Sequence, residues 1–292
     1  MAARTPASPA RRGLPHRLAV NTVMTGVLAL ATAGVVALLV WILAYVAGQG
    51  LKYLGPMFLT QTPPGDPSQA GGGFANGIVG SMIIVGIATG LSVPIGIAAA
   101  VHMVEYRGRL ARTCSFLTDV LIGLPSIVTG AFVYALWVAH FGFSGLAGAV
   151  ALALIMLPLI IRATEEVLRL VPNELREASL ALGVSRARTV LSIVLPTARS
   201  GIITGVMLAV ARAMGETAPL LLTALGNDLF LEANPTRRMS TLSLQIFNNA
   251  ITGFATAQAR AWAGTLTLII IVLVLSVGAR LLSRRGIARS AR

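Results

Sequence analysis

The sequence EASLALG at residues 177–183 and the sequence SIVLP at residues 192–196 set the organisation of the whole chain. Both belong to a polar island, residues 162–199, that lies between two long apolar stretches. A charged segment between two membrane-spanning stretches is expected to lie outside the bilayer, on one of its two sides. The sequence therefore predicts apolar helices that cross a membrane and hold this island at one surface.

The composition indicates a membrane protein. Of the 292 residues, 55% are hydrophobic and only 11% are charged, and the mean hydropathy is +0.81. Soluble domains carry about 25% charged residues. So few charges leave too little polar surface to cover a globule in water, and long uncharged runs form spanning helices. The predicted fold class is an all-α polytopic membrane protein.

The net charge of +13 is compatible with a nucleic-acid partner, but the positions of the charges argue against one. All but one of the 23 basic residues are arginines, the exception being Lys52. Most of them lie in the segments between apolar runs, where membrane topology requires positive charge. We therefore expect no nucleic-acid binding.

The sequence indicates neither a metal site nor an enzyme. Cys114 is the only cysteine, and the three histidines, His16, His102 and His140, are far apart with no H-E-x-x-H pattern. No close nucleophile–base pattern is present. We expect a chain without a cofactor or metal of its own.

Six spanning helices are predicted from the apolar runs. Residues 120–161 lack Asp, Glu, Lys and Arg and would make about 63 Å of helix, twice the ~30 Å hydrocarbon thickness, so they must hold two spans. Pro94 is expected to kink the second helix. The predicted helices cover about residues 23–47, 74–104, 115–139, 146–164, 200–225 and 262–282.

The charge distribution predicts the topology. Residues 1–22 are predicted to form a disordered tail, and residues 283–292 form a basic tail at the other end of the sequence. With both termini cytoplasmic, the inner segments hold 18 basic residues and the outer segments hold 4. This bias predicts that both termini are cytoplasmic. The outer segment 226–261 is expected to form either a short outer helix that meets a substrate-binding protein or a loop that caps the bundle.

The polar island is predicted to form a short helix–turn–helix on the cytoplasmic surface, with its arginines outward. Pro172 can begin the first helix, and Gly183 can end it. Ser185 can cap a second helix that Pro196 ends. The residues alone leave two interpretations open: a surface helix anchored to lipid headgroups, or a docking element for a soluble partner.

Arg212 and Glu216 are candidate functional residues because they lie inside the predicted fifth span. Charges near a bilayer centre are costly, so they face a bundle interior or a water-filled cavity. The two side chains could form a structural ion pair, or Arg212 could donate to an anion while Glu216 holds it in place. Gly215 and Pro219 flank the pair and could allow the helix to bend. Asp119 is expected in the first turn of the third helix, where the dipole favours it.

A resemblance to a known family extends this interpretation. The pattern of Glu177, Ala178, Ser179, Gly183, Ile193, Leu195 and Pro196 resembles the E-A-A signature of ABC importer permeases, with Ser179 in place of the second Ala. Residues 105–106, 124–128 and 212–219, the last reading RAMGETAP, resemble permeases of phosphate-specific (Pst) importers, the A-type permease in particular.

The resemblance implies the type I importer (MetI-like) fold for residues 74–282, after a first helix and outer loop at 23–73. It identifies residues 165–199 as the coupling loop that docks on an ATPase, and Arg212 and Glu216 as part of a phosphate pathway. It further implies a homologous C-type permease, two B-type ATPase subunits and an S-type extracytoplasmic phosphate-binding protein, in a lipid membrane.

The sequence is consistent with a separate ATPase because Lys52, its only lysine, is not in a P-loop pattern. ATP and magnesium are then expected on the partner, and this chain is expected to be a transporter subunit rather than an enzyme. Two alternatives remain open: a permease for molybdate, phosphonate or an amino acid, or an ion-coupled secondary transporter.

Overall fold

The computed structural model describes residues 14–106 and 108–290, and within these residues the chain is all-helical. It divides into two compact units, residues 1–48 and residues 49–292. The first unit is described by helix α1, Leu14–Gly50. The predicted tail boundary at residue 22 is therefore wrong, because Pro15 can occupy the first turn of a helix and the apolar run follows directly. Residues 1–13 of the predicted tail lie outside the described residues.

The second unit contains twelve further α-helices within its described residues and two π-helical turns, Tyr134–Val138 and Val190–Val194. The helices are α2 (Pro56–Thr60), α3 (Ala75–Glu105), α4 (Arg109–Gly123), α5 (Ser126–Val133), α6 (Ala139–Phe141), α7 (Gly145–Arg169), α8 (Asn173–Ala181), α9 (Arg186–Thr189), α10 (Leu195–Gly215), α11 (Ala218–Thr223), α12 (Leu242–Ala250) and α13 (Ala255–Ser290).

Five helical stretches are long and apolar enough to cross a membrane, and a bent pair supplies a sixth span. The five are Arg17–Gly50, Ala75–Glu105, Gly145–Arg169, Arg186–Gly215 and Ala255–Leu281. With the bent pair counted as one span, the spans number six, as predicted from the apolar runs, and they follow the predicted order. The chain is therefore a multi-pass membrane protein.

The third span is broken, which the predicted continuous helix 115–139 missed. Its halves, Arg109–Gly123 and Ser126–Phe141, meet at an angle of 105°. The break falls at Leu124, which is extended (ψ 128°), and Pro125. Proline disfavours the helical conformation of the residue before it, and its nitrogen donates no hydrogen bond. By contrast, α3 contains Pro94 as an interior residue.

The fifth span differs from its prediction at both ends. It begins within the polar island at Arg186 and runs to Gly215, so Pro196 does not end a helix there. Pro196 is the second residue of α10 and follows the π-helical turn Val190–Val194, and the helix continues past it. Beyond Gly215 the predicted helix 200–225 is interrupted, and α11 begins at Ala218. The sixth helix also exceeds its prediction, because α13 extends through the described part of the basic tail to Ser290.

The core of the second unit forms where α3 packs along α7. Ile84 and Ala88 of α3 and Leu152, Met156 and Ile160 of α7 are all fully buried. A β-carbon at Gly96 would come within 2.7 Å of the Ile160 Cγ2, so the two helices approach closely at this point. This close contact fixes α3 and α7 as the frame around which the broken spans are arranged.

Candidate translocation pathway and coupling loop

The end of α10 places Arg212 and Glu216 together. Arg212 lies in the last turn, where the helix dipole favours a cation, and Glu216 follows in extended conformation (ψ 130°). The Arg212 Nε and the Glu216 Oε1 are 3.4 Å apart. The predicted pair therefore forms, although the helix has ended between its members.

The two members of this pair differ in exposure. The Arg212 side chain is 59% exposed and the Glu216 side chain only 15%. Within the described part of the chain, the two Nη groups of Arg212 have no hydrogen-bond partner. A guanidinium held through Nε can present its Nη groups to an oxyanion.

Arg212 lines a cavity of about 60 Å³ at the break of the third span. The cavity is lined by residues before, at and after the break of that span, including Leu124, Ser126 and Thr129, and by residues of α7, including Pro158. The breaks of the third and fifth spans therefore meet at one place in the bundle, with the hydroxyls and the guanidinium facing an otherwise apolar space. Non-helical backbone at membrane depth is tolerated where it is buried in protein or lines a water-filled space.

Gly215 and Pro219 do not bend a continuous helix, as the sequence suggested, but bound the break. Gly215 is the last residue of α10, and Pro219 lies in the first turn of α11. Pro219 is also a packing residue, because a β-carbon at Gly130 of α5 would come within 2.6 Å of its Cα. The short helices beyond the two breaks are thus packed against one another.

The segment 226–261 returns towards this break. A short outer helix was one of the two interpretations of this segment, and helix α12 is present, but Leu242 and Leu244 are buried. The Ser243 hydroxyl donates to the Glu216 carbonyl at 2.8 Å, and the Leu242 N–H donates to the Ser81 Oγ at 2.9 Å. These two leucines therefore face the protein interior and are not available to an outer partner, while Phe247 is 42% exposed.

A buried polar cluster, which was not predicted from the sequence, joins α12 to the start of α3. The Gln245 amide nitrogen donates to the Asn76 Oδ1 at 2.8 Å and to the Asp228 Oδ1 at 3.1 Å. Ser240 also donates to that Asp228 oxygen, at 2.9 Å. The available signal was the occurrence of Asn76 and Gln245 within apolar surroundings, since buried amides need partners.

The coupling loop contains α8, a turn and α9. Gly183 adopts a positive φ of 76°, which favours glycine and ends α8 as predicted. Ser185 occupies the N-cap position of α9, but its side chain forms no capping hydrogen bond. Ser179, the residue that departs from the E-A-A pattern, is buried, and its hydroxyl lies 2.8 Å from the Thr189 hydroxyl. This bond joins α8 to α9.

The residues of the E-A-A pattern differ in their exposure. Glu177, Ala178 and Pro196 are exposed, whereas Ile193 and Leu195 are partly buried. Leu182 is 84% exposed, an unusual position for a leucine on a polar segment. The prediction that the arginines of the island point outward is correct for Arg186 and Arg188 but wrong for Arg162 and Arg176, whose side chains are 26% and 14% exposed.

Arg162 belongs to α7 rather than to a loop and forms a charge cluster that the sequence did not indicate. It pairs with Glu165 on its own helix and with Asp119 of α4, each at 2.5 Å. Glu165 is buried and also pairs with Arg169. Asp119 therefore lies past the first turn of α4, ten residues after its start, and serves as an ion-pair partner rather than as a first-turn residue. Arg162 and Asp119 are 43 residues apart, so no local spacing could reveal their contact.

His102 and His140 take no part in these clusters among the described residues. His102 stacks on Tyr106 with ring centroids 5.6 Å apart, and His140 lies beside Phe141. Among the described residues, no group of three or more His, Cys, Asp and Glu could hold a metal ion.

Comparison with known proteins identifies the family. Residues 92–287 match the family described as binding-protein-dependent transport system inner membrane component. The phosphate transport system permease protein PstA of Yersinia pestis is 44% identical over 248 residues, which cover 84% of this chain and 83% of that protein. PstA 1 of Mycobacterium tuberculosis (strain H37Rv) is 44% identical over 220 residues, 74% of this chain and 71% of that protein.

Solved structures share the fold. One is an inward-facing MetNI methionine ABC transporter, with a TM-score of 0.60, 18% identity, and coverage of 73% of this chain and 95% of that one. Another is a bacterial ABC transporter involved in alginate import, with a TM-score of 0.56, 14% identity, and coverage of 92% and 99%. The predicted type I ABC importer fold is confirmed, and the relatives reported above are transport permeases. The chain belongs to the binding-protein-dependent transport system inner membrane component family.

Proposed function

We propose that this chain is the transmembrane permease subunit of an ATP-driven inorganic phosphate importer. Curated relatives that are 41–44% identical over most of the chain are named as phosphate transport permeases. The observation that carries the proposal is the half-exposed Arg212, whose two Nη groups are free of partners in the described chain at the meeting point of two broken spans.

In this mechanism Arg212 binds a phosphate oxyanion through its free Nη groups as the anion passes. A guanidinium suits this role because its planar fork matches two phosphate oxygens. The Glu216 carboxylate lies 3.4 Å from Nε, so this ion pair orients the guanidinium and, by its charge, weakens the hold on the anion enough for release. The nearby Ser126 and Thr129 hydroxyls supply further donors.

The partners follow from the same proposal. A homologous second permease completes the pathway, two ATPase subunits bind ATP and magnesium, and an extracytoplasmic phosphate-binding protein delivers the substrate. The coupling loop docks on an ATPase with Glu177, Ala178 and Leu182 outward, which requires both termini to be cytoplasmic. The 18-to-4 division of basic residues supports that orientation.

The test uses the complex reconstituted in liposomes. Arg212→Gln should abolish phosphate uptake while the subunits still co-purify and the ATPase still binds ATP. Arg237→Gln is the matched control, because Arg237 is a 72% exposed arginine whose pair with Glu232 lies outside the spans, and it should keep wild-type uptake. Normal uptake by Arg212→Gln would show that the pathway does not use this guanidinium.

A further inference from the structure

Arg176 lies in the middle of α8, and its guanidinium turns towards the membrane helices. Its Nε lies 3.0 Å from the Glu105 Oε1, and its Nη2 donates to the Leu168 carbonyl at 2.9 Å. Its Nη1 donates to the Val171 carbonyl at 2.6 Å and to the Asn173 Oδ1 at 3.3 Å. One guanidinium therefore binds three elements: its own helix start, the end of α7 and the end of α3.

Glu105 is the last residue of α3, and it is only 5% exposed. Within the described chain, Arg176 is its one salt-bridge partner. A buried carboxylate is strongly destabilised when its cationic partner is lost. The position of α8 is thus set against α3 by a contact that is costly to break.

Arg176 makes the polar attachment of α8 to the spanning helices. Among the described residues, the other side-chain hydrogen bond of α8 to a different helix is that of Ser179 with Thr189, within the coupling loop. Besides its covalent link to α7 through residues 170–172, the loop has two connections to the bundle. One is the continuous helix from Arg186 to Gly215, which leads to Arg212, and the other is the guanidinium of Arg176.

Open space beside this contact gives the loop room to move. A cavity of about 440 Å³ is lined by Val104, Glu105, Arg169, Asn173, Arg176 and Arg186. Among the described residues no side chain fills this space, which leaves room for α8 to tilt about the Arg176 contact. Close-packed interiors resist such motion, whereas a space of this size does not.

We propose that Arg176 and Glu105 form the joint through which displacement of the coupling loop moves α3 and α7. Both are positioning residues, because they touch neither phosphate nor ATP and act through the helices that they connect. When an ATPase displaces α8, Arg176 pulls the ends of α3 and α7 with it, and α7 lines the cavity that contains Arg212. This inference rests on the proposed function, since it requires an ATPase on the coupling loop.

The first experiment measures phosphate uptake and ATP hydrolysis on the same reconstituted vesicles. Glu105→Gln keeps the shape and one acceptor oxygen but removes the charge. Arg176→Lys keeps the charge, but its single ammonium nitrogen replaces three guanidinium nitrogens that reach separate acceptors. Each should lower the phosphate moved per ATP hydrolysed roughly tenfold, since a charge-assisted hydrogen bond is lost. Glu105→Asp should restore part of that ratio, and the control Arg237→Gln, an exposed arginine outside the coupling loop, should leave it unchanged.

The second experiment does not depend on the transported substrate. In the purified chain, Arg176→Lys should speed amide hydrogen exchange at residues 102–106, the end of α3, and Arg188→Gln should not. If the wild-type complex moves no phosphate, the proposed function is refuted. The proposed joint would still stand if Arg176→Lys speeds amide exchange at residues 102–106. An unchanged transport ratio in a phosphate-moving complex, or unchanged exchange in Arg176→Lys, would overturn the joint.

Discussion

Gly130 of α5 lies so close to Pro219 of α11 that a β-carbon on Gly130 would come within 2.6 Å of the Pro219 Cα and 3.1 Å of its carbonyl oxygen. Each residue follows a break, Gly130 that of the third span and Pro219 that of the fifth. The obstructing atoms are backbone, which cannot rotate away as a side chain can. This contact therefore holds the two broken spans beside the cavity that contains Arg212.

Gly130→Ala should destabilise the protein by about 1–3 kcal/mol, since overpacking forces backbone shifts. Gly90→Ala in α3 is the matched control, because a β-carbon there meets no atom within 4 Å. It should be neutral or stabilising by up to about 1 kcal/mol, as alanine favours helix more than glycine does. Thermal unfolding of both variants in detergent checks the difference. Equal unfolding midpoints would contradict the close contact.

Glu165→Gln should be far more harmful than Glu166→Gln. Glu165 is buried between Arg162 and Arg169, whereas the adjacent Glu166 is exposed. A hydrogen bond to a charged group contributes about 1.5–3 kcal/mol, and the 68% exposure of Arg169 places the loss near the lower end. Arg162 keeps Asp119 as a partner, so the helices α4 and α7 should remain joined.

The measurement is the unfolding midpoint of Glu165→Gln, of Asp119→Asn and of the double variant that carries both changes. If Asp119 still holds Arg162 in the single variant, the double variant should lose more stability than the two single losses together. Strict additivity would indicate that the two carboxylates act independently.

The spans were predictable because an apolar run bounded by charges has few structural alternatives in a membrane. The second helix shows this, predicted at 74–104 and found at Ala75–Glu105. The broken third span was not predicted, because Pro125 interrupts the backbone without interrupting the apolar run on which the prediction rested. Hydropathy measures partition into lipid, and it carries little information on helix direction.

The candidate site was predictable only in part. Arg212 and Glu216 were found because charges within an apolar run are rare, and their ion pair forms in the structure. The contacts of Arg162 with Asp119 and of Arg176 with Glu105 join residues 43 and 71 positions apart. Such contacts arise from helix packing, so spacing along the sequence could not indicate them.

Leu182 gives the last prediction, which concerns the surface that meets the ATPase. It directly precedes the turn at Gly183 and is 84% exposed, although it belongs to the coupling loop. A leucine side chain that becomes fully buried in an interface contributes about 1.5–3 kcal/mol, or roughly 10- to 150-fold in affinity. Leu182→Ser should therefore weaken binding of the purified permease to its ATPase by this factor without lowering the unfolding midpoint.

Leu231→Ser is the matched control, because Leu231 is also an exposed leucine (53%) but lies in the segment between α11 and α12, which is predicted to be on the opposite side of the membrane. Its ATPase affinity should equal that of the wild type. Binding can be measured with both subunits in nanodiscs, where the lipid surface is the same for each variant. An equal loss in both variants would show that general surface hydrophobicity, rather than a specific contact at Leu182, controls the association.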